Sequence, residues 1–187
     1  MHPADPDNIE EIIGRARLGD AEAFAALYTA YFTPLYRYIY FRVTDKSDVD
    51  DLTQEAFLKA YVSFPRYTHS GGSPLAYLYT IARHGVIDYY RKRKMPVADE
   101  GVLEGIRDDA DTAEEAAIQR DENDMLRRCI AKLPQEQQDT VVLRFIEGFS
   151  TREIAVMLKK NETAVRQLQS RGLRALRKLL QTKEHIL

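Results

Sequence analysis

Apolar positions along this chain recur every three to four residues, the period of one helix face, and no run alternates in the manner of a half-buried strand. Ile9, Ile12, Ile13 and Ala16 mark a first helix that ends near Leu18-Gly19. Asp20 is placed to cap a second, with Glu22 in its first turn and Phe24, Leu27, Tyr28 and Tyr31 spaced along one face. Pro34 stands where it can interrupt or re-aim that helix, after which Leu35, Tyr38, Ile39 and Val43 continue the stripe. Ser47 or Asp48 opens a third helix carrying Val49, Leu52, Ala56, Phe57, Ala60 and Phe64. Thr68-His69-Ser70-Gly71-Gly72-Ser73 reads as a loop, and Pro74, suited to a first helical turn, starts a fourth helix reaching about Lys94.

Beyond Pro96 the periodicity fades into an acidic stretch, with helix resuming from about Thr112. Met125, Ile130 and Leu133 lead to Pro134, and Val141, Leu143, Phe145 and Ile146 form a further helix closed by Gly148. Ser150-Thr151-Arg152-Glu153 has the spacing of a capping box, in which the first and fourth residues satisfy each other's backbone N–H groups. Ile154, Ala155 and Leu158 give that short helix its inner face. After a polar break from Lys159 to Thr163, Val165, Leu168, Leu176, Leu179 and Leu180 line a long helix. Short helix, tight turn and longer helix is the helix-turn-helix plan. The expected fold is all-α: a helical bundle over residues 1–95, an acidic linker over 96–118, and a helix-turn-helix module over 119–187.

Charge sharpens this division. The net charge is only −2, but residues 99–124 carry eleven acids against two bases, whereas residues 125–187 carry thirteen bases against six acids. A basic module suggests a polyanionic partner. The acidic stretch has the composition of a disordered linker. The first dozen residues are mostly polar and acidic, and no apolar run approaches the roughly 18 residues of a membrane span, so a soluble cytoplasmic protein without membrane insertion is expected. The single cysteine, Cys129, has no partner for an internal disulfide. It reads as a reactive thiol or, more simply, a small packed residue.

Three segments carry candidate chemistry. On the long basic helix, Arg166, Gln167, Ser170, Arg174 and Lys178 fall largely opposite the apolar face. Arginine and glutamine side chains can pair with base edges and hold phosphates, although a solvated basic helix would look similar. From Tyr77 to Lys94, aromatic rings alternate with cations, a pattern suited to single-stranded nucleic acid. The same residues also fit a core helix (Leu78, Ile81, Ala82, Ile87) with flanking tyrosines and a solvated basic end. Asp48, Asp50, Asp51 and Glu55 cluster at a helix start, where capping and the helix dipole account for them. The four histidines lack ligand spacing and no glycine-rich phosphate loop occurs, so neither a metal, a cofactor nor an enzyme is expected.

Together, in this order, the three segments resemble the extracytoplasmic-function branch of bacterial RNA polymerase sigma factors, over roughly Asp20 to Leu180. Asp51-Leu-Thr-Gln-Glu-Ala-Phe-Leu-Lys-Ala resembles the family's core-polymerase-binding helix. Tyr77-Leu-Tyr-Thr-Ile-Ala-Arg-His through Arg93 resembles its promoter-melting segment. Leu133-Pro through Arg144, Gly148-Phe-Ser-Thr-Arg-Glu-Ile-Ala and Val165-Arg-Gln-Leu-Gln-Ser-Arg resemble the module that reads the upstream promoter element. The resemblance implies a factor that directs polymerase core to promoters. Its first module would dock on the β′ subunit through Asp51, Gln54, Glu55 and Leu58. It would open the minus-ten element with Tyr67, Tyr77, His84, Arg91, Lys92 and Arg93, capturing an unpaired base near the loop from Tyr67 to Ser73. Arg166, Gln167, Ser170, Arg171, Arg174 and Lys178 would bind the minus-thirty-five duplex. Implied partners are the β′ and β subunits, promoter DNA and an anti-sigma factor.

The chain departs from the family at four places: Tyr77 stands for the usual tryptophan, His84 for asparagine, Lys159 for glycine in the helix-turn-helix turn, and Gly172 for alanine. At the turn, either the loop widens or Asn161 takes the left-handed conformation. In the long helix, glycine costs roughly 0.8–1 kcal/mol relative to alanine. A helix-turn-helix regulator acting without polymerase would explain residues 125–187 but leave the first two segments without a role. A helical adaptor would predict balanced charge on the last helix, which Arg166, Arg171, Arg174, Arg177 and Lys178 do not give.

Overall fold

The computed structural model describes residues 6–68, 73–93 and 114–184. Among these, helices follow one another without a strand: α1 (Pro6–Arg17), α2 (Ala21–Tyr40), α3 (Lys46–Ser63), a 3-10 turn (Phe64–Arg66), α4 (Pro74–Lys92), α5 (Glu114–Ala131), α6 (Gln135–Val141), a π turn (Val142–Ile146), α7 (Thr151–Leu158) and α8 (Glu162–Glu184). Helix α5 starts within the span expected to be linker; residues 94–113 lie outside the described residues.

The first module is α1–α4. Asp20 caps α2 as expected, its carboxylate accepting from the Glu22 and Ala23 N–H groups at 2.9 and 3.2 Å. Pro34 does not break α2. Tyr31 before it and Leu35, Tyr38 and Ile39 after it are all buried, and their packing outweighs the roughly 3 kcal/mol cost of an interior proline. The cap of α3 is Asp45 rather than Ser47 or Asp48, with its carboxylate accepting from the Ser47 N–H at 3.0 Å. Val49, Ala60 and Val86 join Leu35 and Ile39 at the fully buried centre.

The second module is α5–α8, centred on Ile130, Leu133, Val142, Ile154 and Val165, with Cys129 packed among them and buried. The capping box forms: Glu153 N–H donates to Ser150 Oγ at 3.2 Å and Ser150 N–H to Glu153 Oε2 at 2.8 Å. Gly148 precedes it at φ 79°, a left-handed conformation glycine enters without strain. In the helix-turn-helix turn, Lys159 itself is left-handed, at φ 52°. Asn161 instead caps α8, its Oδ1 accepting from the Ala164 N–H at 2.8 Å.

Gly172 has a packing reason that its helix cost concealed. A Cβ there would lie 2.7 Å from Val141 Cγ2, so α6 and α8 approach at a spacing only glycine permits. Gly172→Ala is therefore expected to destabilise the protein, because overpacking costs about 1–3 kcal/mol against about 1 kcal/mol of helix gain. Combining it with Val141→Ala should recover most of the clash, and thermal melts of the four proteins measure that coupling.

The modules touch. Helix α4 packs on α7, and α2 on the π turn. At the seam, Tyr79 of α4 meets Phe149 edge-on, with ring centroids 5.3 Å apart.

Candidate protein and nucleic-acid interfaces

Helix α3 buries Val49, Leu52, Thr53, Ala56, Phe57 and Ala60, which leaves Asp51, Gln54, Glu55 and Leu58 together on the solvent side. Glu55 and Lys59 form an i,i+4 pair at 2.6 Å. Leu58 is 64% exposed, and one turn further Val62 is 72% exposed. Acids followed by bare apolar side chains on one ridge are a protein-docking pattern: the apolar groups supply contact area and the acids select a cationic partner. Sequence reasoning missed Val62; its signal was the i+4 spacing from Leu58 on a helix whose buried positions were already assigned.

On α4 the expected strand-opening residues divide. His84, Arg91 and Lys92 are exposed. Tyr77 is half-buried, its hydroxyl 2.6 Å from Ser63 Oγ and its ring centroid 5.0 Å from that of Tyr67. Tyr67, expected among the DNA-contacting residues, is 6% exposed and stacks on Phe64 at 5.1 Å. Apolar burial in the bundle claims its ring, which places it as a support for Tyr77 rather than a surface for a base. Arg93 is likewise engaged: it lies 4.8 Å over the Tyr89 ring, donates to the Tyr89 hydroxyl at 2.6 Å and pairs with Asp48 at 3.1 Å. Tyr89 also donates to Asp48 at 2.7 Å, and burial together with this carboxylate pushes its pKa well above that of a free phenol. This network ties the end of α4 to the start of α3, and Arg91 pairs with Asp88 at 2.9 Å, so both Arg91 and Arg93 already hold an acidic partner. The loop residues 69–72, where an unpaired base was expected to bind, lie outside the described residues, as does Lys94.

Helix α8 turns Val165 and Leu176 inward, and Arg166, Gln167, Ser170, Arg171, Arg174 and Lys178 are all exposed. Arg166 reaches Glu162 at 2.8 Å, an acid the sequence reading of this face overlooked. The helix start is held by the Asn161 cap, so Arg166 and Gln167 project from a fixed end of the type that enters a major groove. Ser170 and Arg174 also border an apolar groove of about 710 Å³ between α5 and α8, floored by Leu126, Ile130 and Leu176.

Among the described residues no cluster of three or more His, Cys, Asp or Glu side chains is arranged to hold a metal ion. None of the described helices is long and apolar enough to cross a membrane.

Comparison with known proteins matches both modules. The family model described as sigma-70 region 2 covers residues 27–95, and that described as sigma-70 region 4 covers residues 123–176. The chain is 35% identical over 178 residues to the ECF RNA polymerase sigma factor BldN of Streptomyces coelicolor, spanning 95% of this chain and 67% of that one. It is 33% identical over 168 residues to SigX of Bacillus subtilis, spanning 84% and 83%. In fold it is similar to CnrH, solved in complex with the cytosolic domain of CnrY (TM-score 0.69, 22% identity, 95% of this chain and 99% of that chain). It is also similar in fold to RpoE of Bartonella quintana, solved with the anti-sigma factor NepR (TM-score 0.68, 17% identity, 86% and 98%).

Proposed function

The chain belongs to the extracytoplasmic-function sigma factors of the sigma-70 family, and from that membership we propose how its surfaces divide the work of starting transcription. Asp51, Gln54, Glu55 and Leu58 of α3, extended by Val62, dock on the β′ subunit of core polymerase. Tyr77, His84, Arg91 and Lys92 act on the minus-ten element once its strands separate, with Tyr67 and Arg93 holding the local geometry. Arg166, Gln167, Ser170, Arg171, Arg174 and Lys178 engage the minus-thirty-five element as duplex. The division into units follows the same lines: residues 1–95 for core binding and melting, 119–187 for upstream recognition, and 96–118 between them. Polymerase performs the chemistry and this chain supplies recognition, acting in the cytoplasm where core and promoters are found. An anti-sigma protein is the family's means of restraint and is expected here.

The observation that carries this reading is the coexistence of two solvent-facing surfaces of opposite character, the acidic and apolar ridge on α3 and the basic face of α8. A duplex-binding regulator would need only the second. The experiment is transcription by purified core on a promoter library with and without this protein. Defined start sites that appear only with the factor are expected. Tyr77→Ala should fail on duplex promoters and recover on templates carrying a pre-melted bubble. Absence of factor-dependent starts would overturn the proposal, and equal loss on both templates would remove Tyr77 from strand opening.

A further inference from the structure

Tyr77 sits in the first turn of α4, behind the Ser73 cap that accepts from the Ala76 N–H at 3.2 Å. Three groups from the preceding chain close around its ring. Tyr67 approaches with centroids 5.0 Å apart at an interplanar angle of 51°, and Phe64 meets it edge-on at 6.1 Å. The third is Ser63, the last residue of α3, whose Oγ lies 2.6 Å from the Tyr77 hydroxyl. Ser63 has a single hydroxyl proton, and it donates that proton to the carbonyl of Lys59 at 2.5 Å, a back-bond to the residue four positions earlier. The Tyr77 hydroxyl is therefore the donor in the bond between the two side chains. Its proton and the direction of its ring are both set by the end of α3.

That bond adds little to stability. Ser63 and Tyr77 are both half-buried, so water would satisfy either hydroxyl nearly as well. What water does not supply is direction. A ring held in one orientation before a base arrives loses less freedom when the base stacks on it. The partner is also neutral. Tyr38, Tyr40, Tyr79 and Tyr89 all donate to carboxylates, whereas Tyr77 donates to a hydroxyl. A carboxylate beside the ring would repel the phosphates of a strand drawn onto it, and serine holds the ring without adding charge. Tryptophan, the family's usual residue here, has no hydroxyl for Ser63 to hold and fills the space with a larger ring. Tyrosine is smaller, and the bond to Ser63 fixes what bulk does not.

We propose that Ser63 is a positioning residue for strand opening: it pins the Tyr77 hydroxyl and so holds the ring as a preformed platform for an unpaired base of the minus-ten element. The platform then spans two helices, with its face on α4 and its anchor at the end of the docking helix α3. The pin is a contact within the chain, and its use rests on the strand-opening role proposed for Tyr77.

The test is a double-mutant cycle on the full-length factor with Ser63→Ala and Tyr77→Phe, each of which removes one hydroxyl and little else. Open-complex formation with purified core is followed by a fluorescent adenine analogue placed in the minus-ten element of a factor-dependent promoter. On duplex DNA each single variant should slow opening about three- to tenfold, the factor that one neutral hydrogen bond supplies. The double variant should be no slower than either single one. On a pre-melted template all three should match the wild type. Ser63→Thr, which keeps the hydroxyl, should retain the wild-type rate. In a Tyr77→Trp background, where no phenol remains to hold, Ser63→Ala should have no effect. The pin is overturned if the two losses add, or if Ser63→Ala slows opening equally beside tryptophan. It is also overturned if both single variants open duplex DNA at the wild-type rate while Tyr77→Ala fails. Normal opening by Tyr77→Ala would overturn the strand-opening role together with the pin, a result distinct from loss of the pin alone.

Discussion

Leu58→Lys combined with Val62→Lys is expected to weaken binding to polymerase core by about 100-fold while leaving the melting temperature near that of the wild type. Both side chains stand in solvent, so replacing them removes no core contact, and exposed substitutions away from special features stay within about ±0.5 kcal/mol. Lysine is also a good helix former, so α3 keeps its shape. In the complex the situation reverses. Two apolar side chains on a docking ridge that each cost about 1.4 kcal/mol when lost account together for that 100-fold. New cations would also meet the positive partner surface that Asp51 and Glu55 are placed to attract. Fluorescence anisotropy with labelled factor and purified core measures the affinity, and circular dichroism melting checks the fold. Unchanged affinity would show that core docks elsewhere on the first module.

The second large effect concerns the start of α8. Gln167→Ala is expected to cost about 1–3 kcal/mol on the preferred upstream element and to relax preference at one base pair, consistent with a bidentate contact to adenine. Arg166→Ala should cost less than a free arginine would, because binding gives up its pair with Glu162, an exposed contact worth about 0.3–0.5 kcal/mol. Arg174→Ala and Lys178→Ala should instead weaken all sequences alike and each reduce the salt-dependence slope by about 0.9. Anisotropy against single-base variants of the element, at several salt concentrations, separates the two classes. Uniform loss from both Arg166→Ala and Gln167→Ala would mean that the module reads duplex shape rather than base edges.

Local rules carried the sequence reading where the cause was local. Asp20 and the Ser150–Glu153 box cap their helices because a side chain three residues away is all the motif requires. The α3 and α8 faces were legible because burial at helical spacing fixes what remains outside. Errors arose where distant residues decide. Pro34 sits in an unbroken helix because packing on both sides holds it, and Gly172 answers to Val141, thirty-one positions away, rather than to its own helix. No local motif marks Arg42 between Phe41 and Val43 as a buried charge, because its partner Asp139 is 97 residues downstream. Tyr67 looks like an exposed ring beside a loop until Phe64 and Tyr77 close around it. Lys159 takes the strained conformation itself because Asn161 is already committed to capping α8.

The tyrosines at the seam give the protein an optical property of its own. The chain has eleven tyrosines and no tryptophan, so its near-ultraviolet emission comes from phenol rings alone. Three of those rings, Tyr38, Tyr40 and Tyr79, donate their hydroxyl protons across the seam to Asp139, Asp124 and Glu147. A carboxylate hydrogen-bonded to a phenol accepts the proton in the excited state and quenches emission. These three rings are therefore dim in this arrangement, and any change that breaks their hydrogen bonds to Asp139, Asp124 or Glu147 should brighten the protein without any attached dye.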